Sequence, residues 1–194
     1  MKQAELFVES RLPDGMRYTR ELISSAAEAE LLEHIRALPL TEAKYQQYTA
    51  RRRTISFGAG YDFSYRHTTP APSLPSVFFA LRAQAAEFAG LAPDAFVQCL
   101  ISEYQVGTPL GWHRDVPDYE VIVGISLAGW ARLRLRPYPW TPDRKREILA
   151  IDLEPRSAYV LRGPARWDWQ HQVPPTKMLR YSITFRSLRQ REHS

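Results

Sequence analysis

Two side chains with metal-binding chemistry stand two residues apart in Trp112-His113-Arg114-Asp115. In an extended backbone, residues two apart project from the same face, so the His113 imidazole and the Asp115 carboxylate can converge on one point. They would supply two of the three protein ligands of a facial triad for non-haem iron(II). His-x-Asp alone is a common accident of sequence, so the case rests on a third ligand. Of the five histidines, His34 falls in a helical segment, His67 in an aromatic one and His193 at the C-terminal end. His171, in Trp169-Gln170-His171-Gln172-Val173, lies at a strand edge in the strand-rich half; a histidine hydrogen-bonded in a turn is the alternative there. The single cysteine, Cys99, excludes an internal disulfide and a cysteine-built metal site. A metal here would be held by His and carboxylate.

A second pattern lies in Arg180-Tyr181-Ser182-Ile183-Thr184-Phe185-Arg186. Tyr181, Ile183 and Phe185 face one way, and Arg180, Ser182, Thr184 and Arg186 the other. This could be an ordinary solvent-facing stripe. If the polar side faced a barrel interior, its two guanidinium groups would need anionic partners, and a small dicarboxylate would suit both forks.

The elements that must position these groups change character near residue 95. Residues 25–38 predict a helix, with Ser25 and Glu28 at capping-box spacing, Ala27, Leu31, Ile35 and Leu38 on one face, and Pro39 as its stop. Residues 76–89 predict a second, with Val77, Leu81, Ala85 and Phe88 inward and Gly90 ending it. Between them, residues 45–75 carry Arg51-Arg52-Arg53, then Phe57, Tyr61, Phe63 and Tyr65, then Pro70, Pro72 and Pro75. The alternation at 61, 63 and 65 predicts a strand with one aromatic edge, and core packing would explain those rings equally well. Short strands are expected at 96–105, 121–128, 131–136, 147–153, 157–162 and 180–187. Antiparallel strands without intervening helices indicate an α+β chain: a jelly-roll or barrel with the N-terminal helices packed on one side.

Taken together, Tyr104…Gly107, His113-Arg114-Asp115, Gly163-Pro164-Ala165-Arg166, His171 and the 180–186 strand resemble the AlkB family signature of iron(II)- and 2-oxoglutarate-dependent dioxygenases. The resemblance spans about residues 95–190. Upstream, Phe57-Gly58 and Tyr61-Asp62-Phe63-Ser64 are similar to the family's substrate lid, so residues 1–194 are expected to form one such domain with a lid over about 45–75. The resemblance implies a double-stranded β-helix with His113, Asp115 and His171 as iron ligands. It implies that Arg180 pairs with the distal carboxylate of 2-oxoglutarate, supported by the Tyr104 hydroxyl. Arg186 would then sit near the carboxylate that chelates the metal. Ser102 and Ser182 stand where the family's bacterial archetype has asparagine. Serine reaches less far, so water-bridged contacts to the cosubstrate are expected. The archetype's lid tryptophan is also absent, leaving Phe57, Tyr61 or Tyr65 to stack a base.

The implied reaction is hydroxylation of a C–H bond coupled to conversion of 2-oxoglutarate to succinate; on an N-methyl group this releases formaldehyde. Alkylated nucleic acid, DNA or RNA, is the leading substrate, as in alkylation repair. Arg51, Arg52 and Arg53 flank the lid as phosphate contacts, or else form a solvated charged turn, and the chain carries +5 with a pI near 9.5. The same chemistry on a protein side chain or small molecule is the alternative. A non-catalytic module on a degenerate barrel is the third reading, against which the intact triad and both arginines argue. No apolar run approaches the roughly 20 residues that cross a bilayer. The first ten residues have neither basic leader nor apolar core, so a cytoplasmic monomer is expected.

Overall fold

The computed structural model describes residues 12–45, 48–62 and 67–190. Its helices and strands sort into two sheets that face each other, a helical layer on one of them, and a small hairpin. The strands are β1 (Met16–Thr19), β2 (Thr41–Tyr45), β3 (Tyr48–Phe57), β4 (Ala59–Asp62), β5 (His67–Pro70), β6 (Phe96–Tyr104), β7 (Leu110–His113), β8 (Tyr119–Leu127), β9 (Ala131–Pro137), β10 (Leu149–Leu153), β11 (Ala158–Leu161), β12 (Trp169–Val173) and β13 (Arg180–Leu188). The larger sheet runs β1-β11-β8-β13-β6-β3-β2, the smaller β10-β9-β12-β7, and β4-β5 stands apart as a hairpin. Every pairing is antiparallel. This is the expected double-stranded β-helix, with its helices on one side of the larger sheet. Among the described residues no helix is long and apolar enough to cross a membrane.

The alternation in β13 explains the layering. Tyr181, Ile183 and Phe185 are buried in a core shared with β6, β8, β11 and the two long helices, α1 (Ser25–Ala37) and α2 (Phe79–Ala89). Fully burying a side chain such as Ile183 contributes about 1.5–3 kcal/mol. The opposite face, carrying Arg180, Ser182, Thr184 and Arg186, lines a cavity between the sheets. A second apolar core, including Leu133, Leu135, Ile151, Leu153 and Val173, closes the rest of that space.

Several expectations are corrected. Helix α1 is capped by Ser24, whose side chain accepts from the Ala27 amide, so Ser25 and Glu28 form no capping box. Glu28 is instead buried, accepting from the Ala128 amide at 2.8 Å and from Arg156 at 3.1 Å. It ties the helix to the turns beyond β8 and β10. The second helical segment opens with a 3-10 turn at Ser76–Phe78 before α2. Arg51, Arg52 and Arg53 lie within β3, which pairs with β6, so they form no turn. Strand β10 begins at Leu149, after a 3-10 segment at Pro142–Glu147.

Of the aromatic strand expected at 61–65, Tyr61 lies in β4 of the β4-β5 hairpin, and Phe63 and Tyr65 lie outside the described residues. The chain enters the hairpin through Gly58 at φ +78°, where a Cβ would meet the Val97 carbonyl oxygen at 2.3 Å. Only glycine fits there.

Candidate active site

Strands β7 and β12 of the smaller sheet bring the two histidines together, since His113 and His171 are direct cross-strand partners. Their ring centroids are 4.2 Å apart. Asp115 follows just beyond the end of β7, with Oδ2 3.6 Å from His171 Nε2. One ligand atom from each of the three residues lies within 4.8 Å of the others. The trio expected from the sequence therefore converges, although of His113 and Asp115 only His113 lies within β7.

Two of the three are oriented by a neighbour. The His113 Nδ1 stands 2.8 Å from the Gly111 carbonyl oxygen, which can only accept, so Nδ1 carries the proton and Nε2 keeps its lone pair. Asp115 Oδ1 accepts from both Nε and an Nη of Arg186, which leaves Oδ2 toward the histidines. Arg186 also donates to Gln98 Oε1 at 2.9 Å, and the Gln98 amide donates to the Ala59 carbonyl at the start of the hairpin. Arg186 was expected beside the cosubstrate carboxylate that chelates the metal; its observed partner is the Asp115 carboxylate.

Electrostatics favour a cation at this point. Burial opposes ionisation of Asp115, but Arg186 and the neighbouring histidines outweigh it and hold the carboxyl below its usual range. Burial, followed by repulsion from His113, pushes His171 down to about 3. Burial likewise lowers His113. Two neutral imidazoles and one carboxylate are the donor set a divalent ion requires.

Deeper in the cavity lies Arg180, 3% exposed. Its Nε donates to Ser126 Oγ at 2.9 Å, its guanidinium stands 5.1 Å from the Tyr104 ring centroid, and Tyr104 and Tyr159 are the other groups acting on its charge. Among the described residues no carboxylate forms an ion pair with it. Burial pulls Arg180 below the usual arginine range, and a buried guanidinium of this kind calls for an anion. Thr54, Ser102, Ser182 and Ser126 are successive register partners across β3, β6, β13 and β8, a row of hydroxyls beside it. Tyr159 stands opposite Gly124 in register; a Cβ at 124 would lie 2.3 Å from the Tyr159 ring. The missing side chain makes room for the phenol at the pocket wall.

The expected substrate residues fare less evenly. Phe57 is 5% exposed and packs on Phe78 at 6.3 Å between centroids, within the core and away from the cavity. Arg53 is committed to Glu103, with both guanidinium contacts at 2.8 Å. Arg52 lines the cavity and its charge bears on His113. Arg51 lies in β3 and Tyr61 in β4, with their side chains outside what is described, as is all of Tyr65. Sequence reasoning missed Gln98, Ser126 and Tyr159, and it placed Arg166 within a motif without assigning it a role. Gln98 carried a readable signal, since it occupies the cavity-facing parity of β6 shared with Ser102 and Tyr104. Arg166, in the short helix α3 (Gly163–Trp167), is 2% exposed and donates to the carbonyls of Asp115, Val116 and Tyr119. It fixes the turn that carries Asp115.

Comparison with known proteins bears on this arrangement. The model of the 2OG-Fe(II) oxygenase superfamily matches residues 15–186. Uncharacterized protein L905 of Acanthamoeba polyphaga mimivirus is 33% identical over 104 residues, 47% of this chain and 48% of that protein. The match thus spans about half the length of that curated relative. Among solved structures, OsALKBH1 superposes with a TM-score of 0.73 at 18% identity, covering 91% of this chain and 98% of that one. At such identity the likeness is one of fold.

Proposed function

The chain belongs to the 2OG-Fe(II) oxygenase superfamily, and from that premise we propose that it oxidatively removes alkyl groups from base nitrogens in nucleic acid. It is a 2-oxoglutarate-dependent dioxygenase using iron(II) and 2-oxoglutarate. The residues present fit both groups. His113, Asp115 and His171 would hold the metal, and Arg180, lacking a carboxylate partner among the described residues, would take the distal carboxylate, with Tyr104 and the Ser102–Ser182 row beside it. When bound, iron(II) and 2-oxoglutarate supply oxidation of a C–H bond by dioxygen, with succinate and carbon dioxide as coproducts. The protein's own part is positional. Arg186 holds Asp115 Oδ1 so that Oδ2 faces the metal position, Gly111 sets the His113 tautomer, and Arg166 fixes the Asp115 turn. A substrate N-hydroxymethyl group then collapses to formaldehyde and the bare nitrogen.

The observation that carries the substrate reading is the cavity. At about 1210 Å³ it exceeds the roughly 300–1,000 Å³ typical of ligand pockets. It is larger than a five-carbon dicarboxylate needs. Arg52, Trp112 and Arg114 stand among its lining residues beside His113, which suits an extruded, phosphate-tethered base. The AlkB-like motif order supports the same substrate class.

The test is succinate release with and without an N-methylated oligonucleotide. Stimulation together with formaldehyde release is the expected result. Turnover indifferent to the oligonucleotide would redirect the reading to a protein side chain or a small molecule. Absence of turnover with iron bound would indicate a binding module.

A further inference from the structure

The smaller sheet carries on its outer face a ladder of arginines and aromatic rings that extends beyond the cavity lining. Along β9, Leu133 and Leu135 are buried while Arg132, Arg134 and Arg136 point outward. The Arg136 guanidinium lies 4.4 Å from the Trp112 ring centroid and 4.8 Å from that of Trp140, and Arg134 lies 5.6 Å from Trp112. Beside them, Arg114 sits 3.7 Å over Tyr138, a ring 44% exposed.

The charges on this face are not equivalent. Arg132 is paired with Asp152 at 2.8 Å. Arg114 donates to the Trp167 carbonyl and Arg136 to Gln170, while among the described residues the Arg134 side chain makes no hydrogen bond and none of the three has a carboxylate partner. A guanidinium stacked on a ring uses its flat face and leaves in-plane N–H groups free to fork onto a phosphate. Trp112 and Arg114 also line the cavity, on either side of His113 in sequence, so the ladder runs continuously into the site.

We propose that this outer face is a track for single-stranded nucleic acid, with phosphates on Arg114, Arg134 and Arg136 and unpaired bases against Trp112, Tyr138 and Trp140. The inference rests on the nucleic-acid reading above and adds the route by which the strand reaches the cavity. Interleaved cations and rings match a strand whose bases are free to stack. A paired duplex would offer only its backbone.

The test is fluorescence anisotropy of a labelled, N-methylated single-stranded oligonucleotide over a salt series, on full-length protein loaded with manganese(II) and 2-oxoglutarate. Arg134→Ala with Arg136→Ala is expected to lower the slope of log affinity against log salt by about 1.4, at about 0.7 per phosphate contact. Lysines at both positions should restore most of the slope. Trp140→Ala should weaken binding about 5- to 150-fold at every salt concentration, as loss of a base–aromatic stack does. Arg132→Ala, whose charge is already committed, serves as the control and should bind like the wild type.

Salt-sensitive binding that is unchanged in the double variant overturns the track and leaves the proposed reaction standing. Wild type that fails to bind the oligonucleotide overturns both. Polyglutamate competing equally well, with no penalty from Trp140→Ala, would mark the face as a dock for acidic protein and also overturn the track.

Discussion

Asp115 divides its two oxygens: Oδ1 receives Arg186 and Oδ2 is turned to the histidines. A carboxylate so pinned presents one geometry to a metal, and a facial triad reduced to two ligands loses most of its hold. His113→Ala, Asp115→Ala and His171→Ala are each expected to abolish succinate formation at saturating iron while the far-ultraviolet circular dichroism stays native. Turnover surviving in any one of them would remove that residue from the ligand set. The neighbouring charge, Arg180, acts on the cosubstrate. Arg180→Ala should weaken 2-oxoglutarate by roughly 2–5 kcal/mol, the usual cost of breaking one side of a buried charge pair. Arg180→Lys should recover only part of this, because the charge returns without the planar fork. Isothermal titration of 2-oxoglutarate into the manganese-loaded protein reads both numbers, and a wild-type isotherm from Arg180→Ala would move the anion elsewhere.

At the scale of elements, parity along a strand decides what the sequence reveals. Strand β13 was legible because its polar and apolar residues separate cleanly, and Arg180, Ser182 and Arg186 do face the cavity. The segment around 57 was not legible, since an aromatic in a strand reads the same whether it faces ligand or core. Only the pairing of β3 with β6, Phe57 against Cys99, turns that ring toward Phe78. Phe57→Ala is therefore expected to cost about 3–5 kcal/mol of stability through the cavity it leaves, measured by chemical denaturation. Unchanged stability with weakened oligonucleotide binding would return Phe57 to the substrate side. The role of Arg166, though its motif was legible, was hidden for another reason: its targets, Asp115 to Tyr119, are distant in sequence and consist of backbone carbonyls that leave no side-chain signature. Arg166→Ala should loosen that turn and lower metal affinity about 10- to 100-fold, as loss of an outer support does. A manganese titration showing wild-type affinity would make Arg166 a packing residue only.

Across the whole molecule, two apolar cores lie on opposite sides of the larger sheet, one under the helices and one between the sheets. Where the second core stops, the space between the sheets opens into the cavity that holds Arg180 and Arg186. A ligand entering it joins β6, β8 and β13 to β7 and β12 and should stabilise the fold by mass action, by about 2.7 kcal/mol at a hundredfold excess over Kd. Manganese(II) with 2-oxoglutarate is thus expected to raise the melting temperature of the wild type well beyond either alone. A null shift would mean that the pair does not bridge the sheets.

The Arg180 charge is expected to cost the fold stability wherever no anion meets it. Arg180 sits buried, its charge met among the described residues by hydroxyls and by the face of the Tyr104 ring. Exchanging a buried charge for a well-packed apolar chain is often neutral or stabilising. Arg180→Met should accordingly melt no lower than the wild type without ligand, and lower than the wild type once manganese(II) and 2-oxoglutarate are present. The crossing of those two melting curves would measure a trade between activity and robustness at one position. Such a crossing would mean that the resting fold is tuned to the presence of its cosubstrate.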